Sequence, residues 1–230
     1  MADHTNRDRA DRILDAAGAL LLRMGYRKVA VEDIARAVGI GKGTVYLHWR
    51  NKERLFEALL QRESVDLIDE LVARLAEDPR EVLPHRHLRT LFLATARRPL
   101  MSAILTKDAE LLGSHARNSP SRSENALAAE QIFDILTRHG LVRGDVPNIR
   151  FAMNAAVLGY FLHDTFTDEY ADLDVEAKPD ALADTIRAAF EPREEPDHTT
   201  IVAAAHELET VLTKINTVGR EAIYAHAVKD

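Results

Sequence analysis

The chain is predicted to be all-α, on three observations. Apolar residues recur at three- and four-residue spacing along most of its length, strand-like alternation of β-branched residues is scarce, and proline or glycine marks the junctions. The predicted architecture is an N-terminal three-helix domain with a helix-turn-helix over residues 1–54, followed by a larger helical domain over 55–230. A length of 230 residues holds a small head plus a second region large enough to bury its own core.

The head is read from residues 31–52. Val31, Ile34, Ala35 and Val38 lie at i, i+3, i+4 and i+7, one face of an amphipathic helix. Gly39 supplies a residue able to turn with positive φ, and Ile40 is an apolar plug for the corner. Helical spacing resumes from Thr44 to Trp49, with Val45 and Trp49 facing inward. That leaves Lys42, Thr44, Tyr46, Leu47 and His48 toward solvent. Cationic, hydrogen-bonding and methyl-contacting groups of this kind suit a major groove and its flanking phosphates. Lys52 stands at the expected start of the next helix, where an ammonium and free backbone N–H groups both favour a phosphate.

These residues resemble the DNA-binding domain of the TetR family of transcriptional regulators, from about Arg9 to Leu60. Ile13-Leu14-Asp15-Ala16-Ala17 with Gly25-Tyr26 is similar to the family's first helix and its exit, and Asp33-Ile34-Ala35 with Val38-Gly39-Ile40 to its second. Gly43-Thr44-Val45-Tyr46, His48-Trp49, and Lys52-Glu53 with Leu55-Phe56 match the recognition helix and the start of helix four. The resemblance implies double-stranded DNA contacts from Lys42, Gly43, Thr44, Tyr46, Leu47, His48 and Lys52. Two positions depart from the family pattern. Ala30 stands where Ser or Thr caps the second helix, and Gly41 where Ser often opens the recognition helix, so two side-chain contacts are missing.

Beyond the head, a helix is predicted from Lys52 to Ala76, with Leu55, Leu59, Leu67 and Leu71 on its apolar side, ending before Asp78-Pro79. Another runs from Pro84 to Ala96, and Pro99 opens one carrying Leu100, Met101, Ile104 and Leu105. Gly113 to Ser123 reads as a loop and candidate ligand gate, before a helix from Glu124 to His139 stopped by Gly140. Pro147 precedes the apolar helix Phe151 to Leu162. At twelve residues that run is shorter than the roughly 20 that span a bilayer, so it is expected to be buried in protein. A polar linker over 168–179, a helix from Asp180 to Phe190 and a charged connector over 191–197 follow. Thr199 to Val228 reads as one long helix with Ile201, Leu208, Val211, Leu212, Ile215 and Val218 on its apolar side and Gly219 weakening it.

The resemblance implies that the helices near 147–167 and 180–190 form a homodimer interface; the segment from 199 is expected to add burial to that interface or to the core. Dimerisation also follows from readout. One short helix reads a few base pairs, and two related by a two-fold read a palindromic operator with half-sites roughly 34 Å apart. Phe92, Met101, Leu105, Phe133, Met153 and Tyr160 are the candidate lining of a pocket for an apolar or amphipathic small-molecule effector.

Net charge is informative only when divided. Residues 1–54 carry eleven Lys and Arg against seven Asp and Glu, a net of +4, whereas the remainder nets −11 within the total of −7. A basic head on an acidic body suits nucleic-acid binding localised to one face. There is no cysteine, which removes disulfides, thiolate metal sites and cysteine nucleophiles and is compatible with the cytoplasmic location expected here. Met1 to Arg12 lacks an apolar signal-peptide core, and no membrane association is expected. His85 and His87 lie two apart and diverge on a helix, and His163 has no ligand at i+4, so neither metal nor cofactor is expected. An enzyme is not expected either: the chain has no phosphate-binding glycine loop, Gly-x-Ser-x-Gly elbow or paired-histidine motif. The expected function is a ligand-responsive repressor released from its operator by an effector. The alternative keeps the DNA-binding head and makes the second region a protein-interaction module.

Overall fold

The structure is a computed structural model that describes residues 2–106, 112, 122–163, 165–167, 169–170 and 172–224. Every regular element among these is helical: α1 (Ala2–Lys28), α2 (Val31–Val38), α3 (Lys42–His48), α4 (Lys52–Glu77), a 3-10 turn (Pro79–Val82), α5 (Pro84–Ala96), α6 (Pro99–Thr106), α7 (Arg122–Arg138), α8 (Ile149–His163), α9 (Ala177–Phe190) and α10 (His198–Tyr224). The predicted gate over 113–123 lies outside the described residues except where α7 begins.

Two compact units form. The first gathers residues 1–66, 99–119 and 217–230; the second takes 67–98 and 120–216. α4 and α10 therefore each contribute to both.

The first unit closes around Ile13, Leu14 and Leu21 of α1, Ile34 of α2, Val45 of α3, Trp49, and Phe56 and Leu59 of α4, with Leu100 from α6 and Ile223 from α10. Burial of each such aliphatic side chain contributes about 1.5–3 kcal/mol. α1 is broken at Gly25, whose φ of 73° and ψ of 158° are non-helical, so the predicted exit at Gly25-Tyr26 is a sharp change of direction. Tyr26 then lies edge-on to Phe56, with ring centroids 5.2 Å apart, and its hydroxyl donates to Glu53 at 3.3 Å. Burial and the neighbouring Glu53 push the Tyr26 phenol up to about 12.

The second unit packs Leu71 and Leu75 of α4, Phe92 of α5, Ile135 and Leu136 of α7, Met153 of α8, Leu182 and Ile186 of α9, and Ile201, Leu208 and Leu212 of α10. α5 and α9 lie side by side, where Arg89 donates to Asp180 at 2.6 Å and to Glu176 at 2.7 Å. The buried Glu191 carboxylate accepts the His85 backbone N–H at 2.6 Å, supplying α5 with the N-terminal cap that Leu83 cannot.

The apolar run in α8 is buried on one side only. Met153 is buried and Ala156, Val157 and Phe161 are partly so, but Phe151 is 76% and Leu158 47% exposed, and Phe166 just beyond the helix is 82% exposed. With the exposed Ala155 and Gly159 beside them, Phe151 and Leu158 form a stripe along one face of α8 that the described residues leave open.

Candidate nucleic-acid interface

The helix-turn-helix is built from its corner outward. Gly39 adopts φ 76°, ψ 34°; its N–H bonds the Arg36 carbonyl at 3.2 Å and the Ile40 N–H bonds that of Ala35 at 3.0 Å. This is a Schellman closure, in which a left-handed residue satisfies two terminal carbonyls and turns the chain sharply. Ile40 packs partly buried against the head core, and the Arg12 guanidinium of α1 donates to the Val38 carbonyl at 3.0 Å. The corner is held from both sides.

The two departures at the caps have local consequences. Ala30 offers no side-chain cap, but the Asp33 carboxylate reaches back to the Ala30 N–H at 3.3 Å, half of a capping box. Gly41 opens α3 without a side-chain cap, its carbonyl accepting the Thr44 N–H at 3.0 Å.

α3 is seven residues long, and the seven predicted contacts divide by exposure. Lys42, Gly43 and Leu47 are exposed, Leu47 by 61%. Thr44, Tyr46 and Lys52 are half-buried. His48, expected toward solvent, is instead buried at 4% exposure with its ring centroid 5.5 Å from that of Trp49. The reason is helical geometry: Val45, His48 and Trp49 fall at i, i+3 and i+4, on one inward face. Burial, with Arg9 adding to it, pushes the His48 imidazole below its ordinary range, so it is neutral at pH 7.

Lys42 pairs with Glu32 of α2 and stands 5.5 Å from the Tyr46 ring centroid. The Glu32 hydrogen bond holds the ammonium pKa above its usual value. Such an exposed pair is weak and a phosphate can compete for it. Lys52 is more committed: its ammonium donates to the Tyr26 carbonyl and lies 4.2 Å from the centre of the Tyr26 ring, and burial lowers its pKa. Arg27, Lys28, Arg36 and Arg50 are exposed cations of the same head that lie outside the predicted set. Their signal in the sequence is the head's positive net charge.

Four of the six predicted pocket residues lie in one core. Phe92, Phe133, Met153 and Tyr160 belong to the second unit's core, where Phe92 stacks on Phe161 at 4.7 Å and the Tyr160 hydroxyl bonds the Ala181 carbonyl at 3.1 Å and Thr185 at 2.9 Å. Met101 is buried in the first unit, its sulfur 3.8 Å from the Ser64 hydroxyl. The Leu105 side chain lies outside the described residues. A hollow in the second unit between Leu83, His85, Leu141 and Glu191 holds about 30 Å³, room for water alone. Among the described residues no group of three or more His, Asp or Glu is placed to hold a metal ion, and no helix is long and apolar enough to cross a membrane.

Residues 13–59 match the sequence profile of bacterial regulatory proteins of the tetR family. YvkB of Bacillus subtilis, an uncharacterised HTH-type transcriptional regulator, is 42% identical over 53 residues, 23% of this chain and 28% of that protein. The HTH-type transcriptional regulator TtgR of Pseudomonas putida is 27% identical over 64% of this chain and 72% of its own length. The nucleoid occlusion factor SlmA of Glaesserella parasuis is 27% identical over 44% of this chain and 50% of its own. The chain thus spans between about a quarter and three quarters of these relatives. The fatty acid degradation regulator FadR of Bacillus halodurans superimposes with a TM-score of 0.58 over 81% of this chain and 97% of that one, at 19% identity. Schellman corner, recognition helix and matched profile agree: residues 13–59 form a helix-turn-helix domain similar to that of the tetR family, and the likeness to FadR shows a shared helical fold.

Proposed function

We propose that the chain is a DNA-binding transcriptional repressor that acts as a homodimer and leaves its operator when a small molecule binds the second unit. The observation that carries this reading is α3, which presents Lys42, Gly43 and Leu47 to solvent from a corner fixed at Gly39. Half-buried Thr44 and Tyr46 have hydroxyls within reach of the same face, and Lys42 has an exchangeable partner in Glu32. Lys52, half-buried at the start of α4 with its ammonium on the Tyr26 carbonyl, adds a phosphate contact from that side.

The dimer reading rests on α8. Its stripe of Phe151 and Leu158, with Phe166 exposed just beyond the helix, is an apolar surface that a monomer has no reason to expose. A second copy is the partner that a two-fold operator requires. Phe92, Phe133, Met153 and Tyr160 place apolar and hydroxyl groups in one core, and an apolar or amphipathic effector enters by separating them. An effector that prefers the DNA-incompetent state by about 3 kcal/mol weakens operator binding roughly 150-fold.

Selection of duplexes from a randomised pool, followed by titration at several salt concentrations, tests the DNA reading. A single palindromic sequence with a steep salt dependence is expected; no selected sequence refutes it. Calorimetry of an effector with and without that duplex tests the coupling, because linkage is reciprocal and an unchanged affinity refutes release.

A second reading, a protein-interaction module without a small ligand, is favoured by one observation. The enclosed hollow beside Glu191 is about 30 Å³ against the roughly 300–1,000 Å³ of a ligand pocket, and the larger concavities of the second unit, about 310 Å³ between α7 and α10 and about 560 Å³ at the start of α8, lie open to solvent. Relatives carrying the name nucleoid occlusion factor fit this reading. Occupancy at many chromosomal sites, rather than at one promoter, separates it from the first.

A further inference from the structure

Trp49 stands at the C-cap of α3, where its backbone N–H bonds the Val45 carbonyl at 3.0 Å, and its side chain is only 1% exposed. A helix of two turns cannot fix its own direction; the side chains that anchor it do. Of the three inward anchors, Val45, His48 and Trp49, the largest is the indole. Its one polar atom needs a partner when buried, and that partner comes from the far end of the chain: Nε1–H donates to the Ile223 carbonyl at 3.4 Å.

The end of α10 is fitted to the head in three further ways. Ile223 is 3% exposed within the head core. The Tyr224 hydroxyl donates to the Asp11 carboxylate at 2.7 Å, and the Arg7 guanidinium lies 5.7 Å from the Tyr224 ring centre. Gly219 sits where a Cβ would come within 2.6 Å of the Gln61 amide nitrogen, the end of a flexible side chain, and 2.9 Å of a Val65 methyl, so any side chain there requires Gln61 to turn aside and Val65 or the helix to shift.

We propose that the last turns of α10, Thr217–Tyr224, are a positioning element for the DNA-reading helix, acting through Trp49. This rests on the DNA-binding reading of α3. α10 also gives Ile201, Ala204, Leu208 and Leu212 to the second unit's core, so α3 has a tie to that unit through α10 as well as through α4. Movement of α10 withdraws the indole's partner and the Ile223 side chain together, and the recognition helix loses its fixed direction.

Trp49 is the chain's one tryptophan, so its emission reports the contact directly. Three variants test the proposal in the full chain: Gly219→Leu, which wedges α10 from α4; the milder Gly219→Ala; and Gly219→Ala combined with Val65→Ala, which removes the Val65 methyl that the new Cβ meets and leaves Gln61 to turn aside. The DNA probe is the tightest duplex that the wild-type chain selects from a randomised pool. The single variants are expected to red-shift Trp49 emission, raise its quenching by acrylamide and weaken the duplex by about tenfold or more, with far-UV ellipticity retained. The double variant is expected to recover both emission and affinity. Unchanged emission, emission that shifts with affinity intact, or a double variant no better than Gly219→Ala overturns the proposal. Should Gly219→Leu unfold the chain, Gly219→Ala and its partner decide. A wild-type chain that selects no duplex defeats the DNA reading instead, and the emission data then still settle whether α10 holds Trp49.

Discussion

The same substitution at two neighbouring glycines is expected to have opposite effects. Gly39 has φ 76°, and an added Cβ there meets nothing within 4 Å, so the space is free and only the backbone objects. A left-handed conformation costs an L-residue about 1–2 kcal/mol, partly offset by roughly 0.4–1 kcal/mol from the freedom that alanine removes from the unfolded chain. Gly39→Ala should therefore destabilise the head by about 1 kcal/mol, and Gly39→Asn by less, since asparagine tolerates this region. Gly43 lies in α3 and its Cβ would also meet nothing within 4 Å. In a helix, alanine is better than glycine by about 0.5–1 kcal/mol, so Gly43→Ala should stabilise the head, near the low end of that range in the first turn. Urea unfolding followed by Trp49 emission reads both. With a slope of about 1–3 kcal/mol/M, the two midpoints should separate by about 1 M, with wild type between them. Midpoints that move in the same direction, or a Gly39→Ala midpoint at or above wild type, refute the left-handed corner as the source of the turn. Gly43→Ala has a second arm: if the backbone of α3 closely approaches DNA, the stabilised variant binds its selected duplex more weakly.

Leu158→Asp places a charge at the middle of the exposed α8 stripe and should convert dimers to monomers in sedimentation velocity, with operator binding lost alongside; a dimer that persists removes α8 from the interface. The Tyr26 phenol holds its proton more tightly folded (about 12) than unfolded (about 10), so that part of the head's stability is complete below pH 10 and is lost as pH rises toward 12; Tyr26→Phe should flatten this alkaline loss in unfolding midpoints measured across that window. His48 shifts the other way. Its folded pKa lies below 6.5, so its contribution is present above pH 6.5 and is lost as pH falls through the folded value, and His48→Leu should blunt the acid-side drop in Trp49-detected stability. Lys42→Ala and Lys52→Ala are each expected to lower the salt slope of duplex binding by about one unit, with Lys52→Ala alone also lowering the unfolding midpoint through its loss of Tyr26; an unchanged slope removes the residue from the phosphate contacts.

Helix boundaries were legible where proline or glycine made them so. The helix read from Pro84 to Ala96 has those limits in the structure, and the one read from Lys52 to Ala76 extends a single residue further, to Glu77 before Asp78-Pro79. The corner at Gly39 was legible for a stronger reason, because no other residue type adopts its conformation without cost. The burial of His48 is legible in spacing rather than in polarity: three residues after Val45 it shares the inward face, although a polar ring alone suggests solvent. The contact between Trp49 and Ile223 was not legible at all. It joins residues 174 positions apart, and no local pattern marks which backbone carbonyl a buried indole will find. Met101 and Phe92 show the same limit, since both are apolar at helical spacing yet belong to different units.

Gly219 shows how far a residue's meaning depends on what lies opposite. Alone, it weakens a long helix; placed against Gln61 and Val65, it allows a close helix approach that a Cβ would disturb. The apolar stripes of α4, α8 and α10 carry the same lesson. Each has three- and four-residue periodicity, and periodicity states that one face seeks cover without stating what covers it. α4 and α10 divide their stripes between two cores, whereas much of the stripe on α8 is left open. A helix whose apolar face is already satisfied at both ends can transmit a displacement, and one whose face is open can take a partner. The switch proposed here uses both kinds: α8 joins two copies, and α10 carries the state of one unit to the tryptophan beneath the helix that reads DNA.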